Sequence, residues 1–349
     1  MSDLLAAPGT RKLLHAISLA IGFLHHRQLP HGEFATYASP DQGMGDESYF
    51  DSSPFATSLI LHSIGLVSDP RVEEMTAKAL DFLETEMEGP GLWRYWASRN
   101  ERHNVLPPDL DDTCCISFIL KRNQRPVPLN RAILLANRNN EGVFHTWLIP
   151  TSTSLSQSSD SVDGAVLGYA VDPESLLLVA LSGMADDIDC VVNANALLYL
   201  GEDEDTTAVV DYLVDIVLNG KEDGCSAFYP DRLSFYYMLS RAYCNGVVSL
   251  ERVRVPVTDR VIRMQDDDGS FGSELLTALA VCTLLNFNMP TPAIPEAVKH
   301  ILRTQKEDGS WPRTPMFLGP APYYGSEELT TAFCIEALAK RHTSVGSSG

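Results

Sequence analysis

The sequence predicts an all-α fold, an (α/α)6 barrel in which six helical hairpins close into a toroid. Three observations predict it. A turn of the form Gly-x-aromatic recurs six times along the 349 residues. Each turn follows an amphipathic segment, and each is followed, after a linker, by a nearly continuous apolar stretch. A one-sided helix faces a core, whereas a helix apolar all round is buried on every side. Alternating the two kinds describes an outer ring around an inner ring, with essentially no sheet.

The turns are clearest at Gln28–Phe34, Gln265–Phe271 and Gln305–Trp311, which share Gln-x3-Gly-x-aromatic. Weaker copies end at Trp93 and Phe144, and the fourth turn along the chain, around Gly224, has its aromatic displaced to Phe228. Glycine permits the left-handed backbone of a helix C-terminus, the glutamine can bond free carbonyls, and the aromatic packs back between hairpins. The amphipathic segments are 11–27, 71–88, 128–137, 205–219, 251–264 and 294–305. In 71–88, Val72, Met75, Ala79 and Phe82 share one helical face, while Glu73, Glu74, Lys78 and Asp81 point away. The apolar stretches are 54–65, 111–120, 188–200, 233–243, 273–286 and 327–339. No second domain is indicated. The chain reads as one toroid over 1–349, with a long rim insertion at about 145–186 whose Ser/Thr-rich part, 150–163, is expected to be a mobile loop or lid at the Asp109 end.

Composition narrows the function. The formal net charge is −20, which repels nucleic acid and anionic lipid. No apolar run approaches the length of a bilayer span, and the N-terminus lacks a signal-like apolar core, so a cytoplasmic protein with no stable membrane insertion is expected. Seven cysteines, an odd number without C-x-x-C spacing, fit that reading. Five of them, Cys190 included, read as small buried hydrophobes. A homo-oligomer is compatible with the sequence.

The chemistry-bearing segment is Pro107-Pro108-Asp109-Leu110-Asp111-Asp112-Thr113, at the start of the second inner helix. The prolines block a helix before the acids. One aspartate suits an N-cap and the helix dipole. Three acids ahead of an entirely apolar helix call for another explanation. Asp-x-Asp-Asp-Thr resembles the acid motif of class II terpene cyclases, the squalene–hopene and copalyl diphosphate cyclase superfamily, and the Gln-x3-Gly-x-Trp turns resemble their QW repeats. The resemblance implies protonation-initiated cyclisation of a linear isoprenoid, with a prenyl diphosphate the first expectation. It assigns Asp111 as general acid, with Asp109 and Asp112 as its partners. Independently, protonating an alkene needs a carboxyl that stays neutral near pH 7, and crowded carboxylates in a dry cavity raise one another's pKa. Aromatic candidates for the cavity wall are Trp96, Phe235, Tyr236, Tyr237, Tyr323 and Tyr324; candidates for a phosphate side are Arg94, Arg232, Arg241 and Arg313. Mg²⁺ is expected only if the substrate is a diphosphate. No zinc is expected, because Asp223 and Cys225 lack a third ligand. The family members in question pair two barrels, and this chain predicts one.

Two other readings compete. Asp186, Asp187 and Asp189 crowd the next inner helix, and carboxylates of two inner helices facing one cavity would describe an (α/α)6 glycoside hydrolase. A non-catalytic toroid binding a lipid or protein is the other.

Overall fold

The computed structural model describes residues 8–127, 129–149, 187–318 and 321–346. Among them are twelve helices that alternate between two rings. The outer helices are α1 (Pro8–Arg27), α3 (Pro70–Thr85), α5 (Arg131–Ala136), α7 (Thr207–Leu218), α9 (Glu251–Arg263) and α11 (Ala293–Thr304). The inner helices are α2 (Pro54–Ile64), α4 (Leu110–Arg122), α6 (Cys190–Leu200), α8 (Arg232–Cys244), α10 (Glu274–Asn286) and α12 (Glu327–Gly346). Each inner helix packs on the next, and α12 packs on α2, so the inner ring closes.

The periodicities explain this arrangement. Every residue of α2 is buried, as expected of a helix with no polar face. In α3 the expected face of Val72, Met75, Ala79 and Phe82 is buried, while Glu73, Glu74, Lys78 and Asp81 are exposed. The repeat turns are cross-links. In each, the glutamine Nε2 donates to the carbonyl of its own turn glycine and to a carbonyl of a neighbouring outer helix: Gln28 to Gly32 and Met75, Gln265 to Gly269 and Ala293, Gln305 to Gly309 and Ala16. The last of these ties the final turn to α1 and closes the outer ring. Gly309 is required twice over. Its φ is +90°, and a Cβ there would stand 2.5 Å from the Leu19 carbonyl oxygen.

A second regularity links the rings. The backbone N–H of the turn aromatic donates to a side chain in the first turn of the next inner helix: Phe34 to Thr57, Trp93 to Thr113, Phe144 to Asn193, Phe271 to Thr277, Trp311 to Thr331. Thr113, the last residue of the acid motif, thus has a structural task shared around the barrel. So has Asp109, which N-caps α4 as Ser53, Asp189, Asp231 and Ser273 cap their helices.

The structure corrects the expectation of essentially no sheet. Strands β1 (Tyr37–Ser39), β2 (Tyr49–Phe50), β3 (Thr314–Phe317) and β4 (Tyr323–Ser326) form a small antiparallel sheet in the order β2-β1-β4-β3. Ring closure is the cause. It brings the linkers entering α2 and α12 side by side, and extended neighbours satisfy each other's backbone groups by pairing. The sheet therefore lies at the N-terminal end of the inner helices. Residues 150–186 lie outside the described residues, and with them the expectation of a mobile lid at 150–163. The described ends of the insertion do meet at the expected end. Thr146 N–H donates to the Asp187 carbonyl at 3.0 Å, and Leu110 N–H at the start of α4 donates to the Thr146 carbonyl at 2.8 Å. No described helix is long and apolar enough to cross a membrane.

Cys190 also departs from its expected state as a buried thiol. It begins α6 and forms a disulfide with Cys225 of the fourth turn. Two cysteines 35 residues apart match no spacing motif, so their meeting depends on the packing of successive hairpins.

Candidate active site

A cavity of about 240 Å³ opens at the N-terminal end of the inner ring, and Asp109, Asp111 and Asp112 all line it. The rest of its wall is mainly apolar and aromatic, with Phe55 from α2, Tyr95 and Trp96 from the linker before α4, Val192 from α6, and Phe317 and Tyr324 from the sheet. Three acids thus stand in an apolar, electron-rich chamber.

Burial dominates their ionisation. Asp109, whose Oδ1 accepts the Asp112 N–H at 2.8 Å, is pushed up to about 7 by burial and by the neighbouring Asp111 charge. Burial and then Asp109 hold Asp112 far above the usual carboxylate range, and its Oδ2 is buried without a hydrogen-bond partner. Asp111 is raised by burial too, but three groups pull the other way: Tyr229, Asn195 and Arg241. The Tyr229 hydroxyl donates to Asp111 Oδ2 at 2.5 Å and the Asn195 amide to Oδ1 at 2.6 Å. Arg241, fully buried inside the ring, donates to Asn195 Oδ1 at 2.5 Å. Arginine can only donate, so the Asn195 carbonyl must face it and the amide must face Asp111. The acid's own proton accordingly sits on Oδ2. Its conjugate base would be received by two donors and a nearby positive charge. Burial favours the protonated form of Asp111, and the network makes the proton easier to give away.

The sequence alone points to Arg241 only as a phosphate-side candidate and does not single out Asn195 or Tyr229. These residues come to Asp111 from α6, α8 and the loop between, at sequence separations of 84 for Asn195 and 118 for Tyr229. One signal was present: Arg241 is a lone charge within an apolar run, and a buried charge needs partners.

No family model matches the sequence, and no curated protein matches it. Solved structures do. MstE, a type II terpene cyclase from Scytonema, superposes with a TM-score of 0.70 at 15% identity, over 96% of this chain and 99% of its own. A variant of MstE in complex with its substrate geranylgeranyl dihydroxybenzoate gives 0.68 at 15% identity over the same shares. ent-Copalyl diphosphate synthase from Streptomyces platensis matches with a TM-score of 0.58 at 17% identity, over 82% of this chain and 50% of that enzyme. The fold is that of the class II terpene cyclases.

Within this cyclase fold the other expected site residues divide. Trp96 and Tyr324 line the cavity; Phe235, Tyr236, Tyr237 and Tyr323 do not. Phe55, Trp147, Phe228, Tyr229 and Phe317 line it and were not among the aromatic candidates for its wall. Phe228 is the displaced aromatic of the fourth turn, and the displacement puts it at the cavity. None of the four phosphate-side arginines lines the cavity. Arg94 pairs with Glu88 at 2.7 Å, Arg232 with Asp223, and Arg313 with Glu327 at 3.1 Å. Asp223 pairs with Arg232 and Cys225 with Cys190. Asp189 is absent from the cavity wall. Its Oδ1 caps α6 and its Oδ2 accepts from Ser226 and the Ala227 N–H. Asp187 Oδ2 accepts from the Thr146 hydroxyl, and Asp186 lies outside the described residues, so among the described residues no acid at the start of α6 joins the cavity wall as a glycosidase pair would need.

The triad has a stability consequence. A folded-state pKa near 7 for Asp109 lies above the value of about 4 for an unfolded aspartate. The folded chain therefore binds the proton more tightly, and stability present at low pH is lost as pH rises from about 4 through 7. Asp109→Asn removes this titration and keeps a good N-cap. Denaturant melts should show the variant more stable by on the order of 2–4 kcal/mol at about pH 8, with no difference below the unfolded carboxylate range. A variant less stable than the parent at about pH 8 would contradict the protonated triad.

Proposed function

We propose that the protein is a class II terpene cyclase that protonates a linear isoprenoid at its terminal alkene or epoxide, with Asp111 as general acid. The observation that carries this is Asp111 itself: a buried carboxyl facing an aromatic cavity, with its Oδ1 engaged by Asn195 and its Oδ2 beside Tyr229. The fold supports the reading. MstE is matched along almost its whole chain, so a single toroid is no obstacle to cyclase chemistry.

In this mechanism the proton on Asp111 Oδ2 passes to a terminal alkene carbon. The alkene π pair forms the new C–H bond, and a tertiary cation remains on the adjacent carbon. The resulting carboxylate is stabilised where it stands by Asn195 and Tyr229. Internal alkenes then close rings by attacking the cation in turn. Walls such as Phe55, Trp96, Phe317 and Tyr324 present π faces to the migrating charge and keep out water that would intercept it. Loss of a proton or capture of water ends the sequence, and a returning proton restores Asp111. Asp109 and Asp112, both held up by burial, keep further negative charge from gathering beside the acid.

Incubation with a panel of prenyl diphosphates, uncharged polyprenes and prenylated aromatics tests the proposal. The expected product is isomeric with its substrate, or one water heavier, with fewer double bonds and new rings by NMR. Release of pyrophosphate from a diphosphate, with the isoprenoid recovered without its head group, would overturn it.

A further inference from the structure

Beside the cavity lies a second, more open chamber of about 740 Å³, and Trp96, Pro322 and Tyr324 line both. An isoprenoid whose far end reaches Asp111 would leave its head group in this outer chamber, so the charges there bear on what the head group is. Every Lys, Arg and His of the chain lies among the described residues. The segment 150–186 contains none of them and carries five acids. The inner cavity has no cationic side chain in its wall, and the outer chamber has one, Arg102.

Arg102 is poorly placed to receive several negative charges. Its Nη1 lies 3.6 Å from Asp51 Oδ2, and Glu47 lines the same chamber. The acids do not supply a metal site in its stead. Asp51 accepts from Trp96 Nε1 at 2.9 Å and Asn100 at 2.6 Å, Asp111 is engaged on both oxygens, and no described group of three His, Cys, Asp or Glu is arranged to hold an ion. The residues present do not fit a Mg²⁺-bound diphosphate. They fit something flatter and less charged. The Arg102 guanidinium stands 5.6 Å from the centre of the Tyr49 ring and 5.9 Å from that of Trp96, and donates to the Tyr49 hydroxyl at 3.0 Å. A side chain 37% exposed retains donors that can fork onto a single carboxylate or phenol oxygen. Tyr49, nearly half exposed, extends the aromatic wall toward the rim.

We propose that the outer chamber seats the substrate's head group, and that this head group is an aromatic ring bearing at most one acidic group, held by Arg102, Tyr49 and Trp96. The inference rests on the cyclase reading for the direction in which the chain lies. Calorimetric binding to the Asp111→Asn protein tests it without turnover. The probes are one geranylgeranyl chain carrying, in turn, a diphosphate with and without Mg²⁺, a plain hydroxyl, a phenol and a hydroxybenzoate. The two aromatic probes should bind at least about tenfold more tightly than the diphosphate, and chelator should leave their affinities unchanged. Arg102→Gln should weaken the hydroxybenzoate about tenfold, the loss of a charge-assisted hydrogen bond, and the phenol by less than about threefold. Mg²⁺-dependent preference for the diphosphate, an Arg102→Gln protein that holds the hydroxybenzoate unchanged, or no binding of any probe would each overturn the proposal. Turnover by the parent protein separates the two claims. A diphosphate that is bound and cyclised sinks the head-group assignment alone, whereas aromatic probes that bind as expected and stay linear sink the cyclase reading alone.

Discussion

Replacing Asp111 by Asn is expected to lower turnover by roughly 10⁴-fold, the upper end of what a positioned general acid contributes, while the protein folds normally. The amide is nearly isosteric. Its oxygen can still accept from Asn195, and its NH₂ can face the Tyr229 oxygen, so the local geometry has partners on both sides. What is lost is the transferable proton. Folding should not suffer, because burial already disfavours the charged form of this group. Circular dichroism and substrate binding should match the parent, and product formation should vanish. A variant that cyclises at even a tenth of the parent rate would assign the proton to another group, with Asp112 the next to test, since its Oδ2 is buried and unpartnered.

The second large effect is expected at Arg241, which touches neither the cavity nor the substrate. Arg241→Met removes the donor that fixes the Asn195 carbonyl. A buried acceptor left unsatisfied costs about 1–3 kcal/mol, and an Asn195 free to rotate no longer presents its amide to Asp111. Turnover should fall by roughly tenfold to a hundredfold, the same range of free energy placed on the barrier, with KM little changed. The pH profile distinguishes this from general loosening. Activity needs protonated Asp111, so the rate falls as pH rises through the folded pKa of that group. The positive charge of Arg241 depresses that pKa. Without it the pKa rises, and the alkaline limb should move to higher pH even as the plateau drops. Arg241→Lys, which keeps the charge and loses the planar fork, should restore the position of the limb better than the plateau. A lower plateau with an unmoved limb would reduce Arg241 to a packing role.

What was legible in the sequence follows from what is local. The inner and outer helices announce themselves by periodicity, and the turn glutamines by repetition. The acid motif was legible because its members lie within four residues of one another. The structure now divides it: Asp109 and Thr113 perform tasks found at other inner helices, while Asp111 and Asp112 exceed what the repeat requires. The same separation applies in α6. Asn193 serves the repeat by accepting from Phe144, and Asn195, two residues on, is the one turned to the acid. Only the repeat's own register, seen in three dimensions, shows which polar residue is surplus. The sheet was hidden for a different reason. Its strands are short linkers, and its central pair, β1 with β4, joins residues almost 300 positions apart that meet only when the ring closes.

Turnover in D₂O tests the central claim most directly. If Asp111 starts the reaction, its exchangeable proton becomes a carbon-bound hydrogen of the product. With a terminal-alkene substrate, each cyclised molecule should then carry one deuterium at the former terminal-alkene carbon, with any head group intact, and Asp111→Asn should yield no labelled product; an epoxide, protonated on oxygen, would keep no label on carbon. A cyclic product formed from the alkene at full rate without deuterium at that carbon would contradict initiation by protonation.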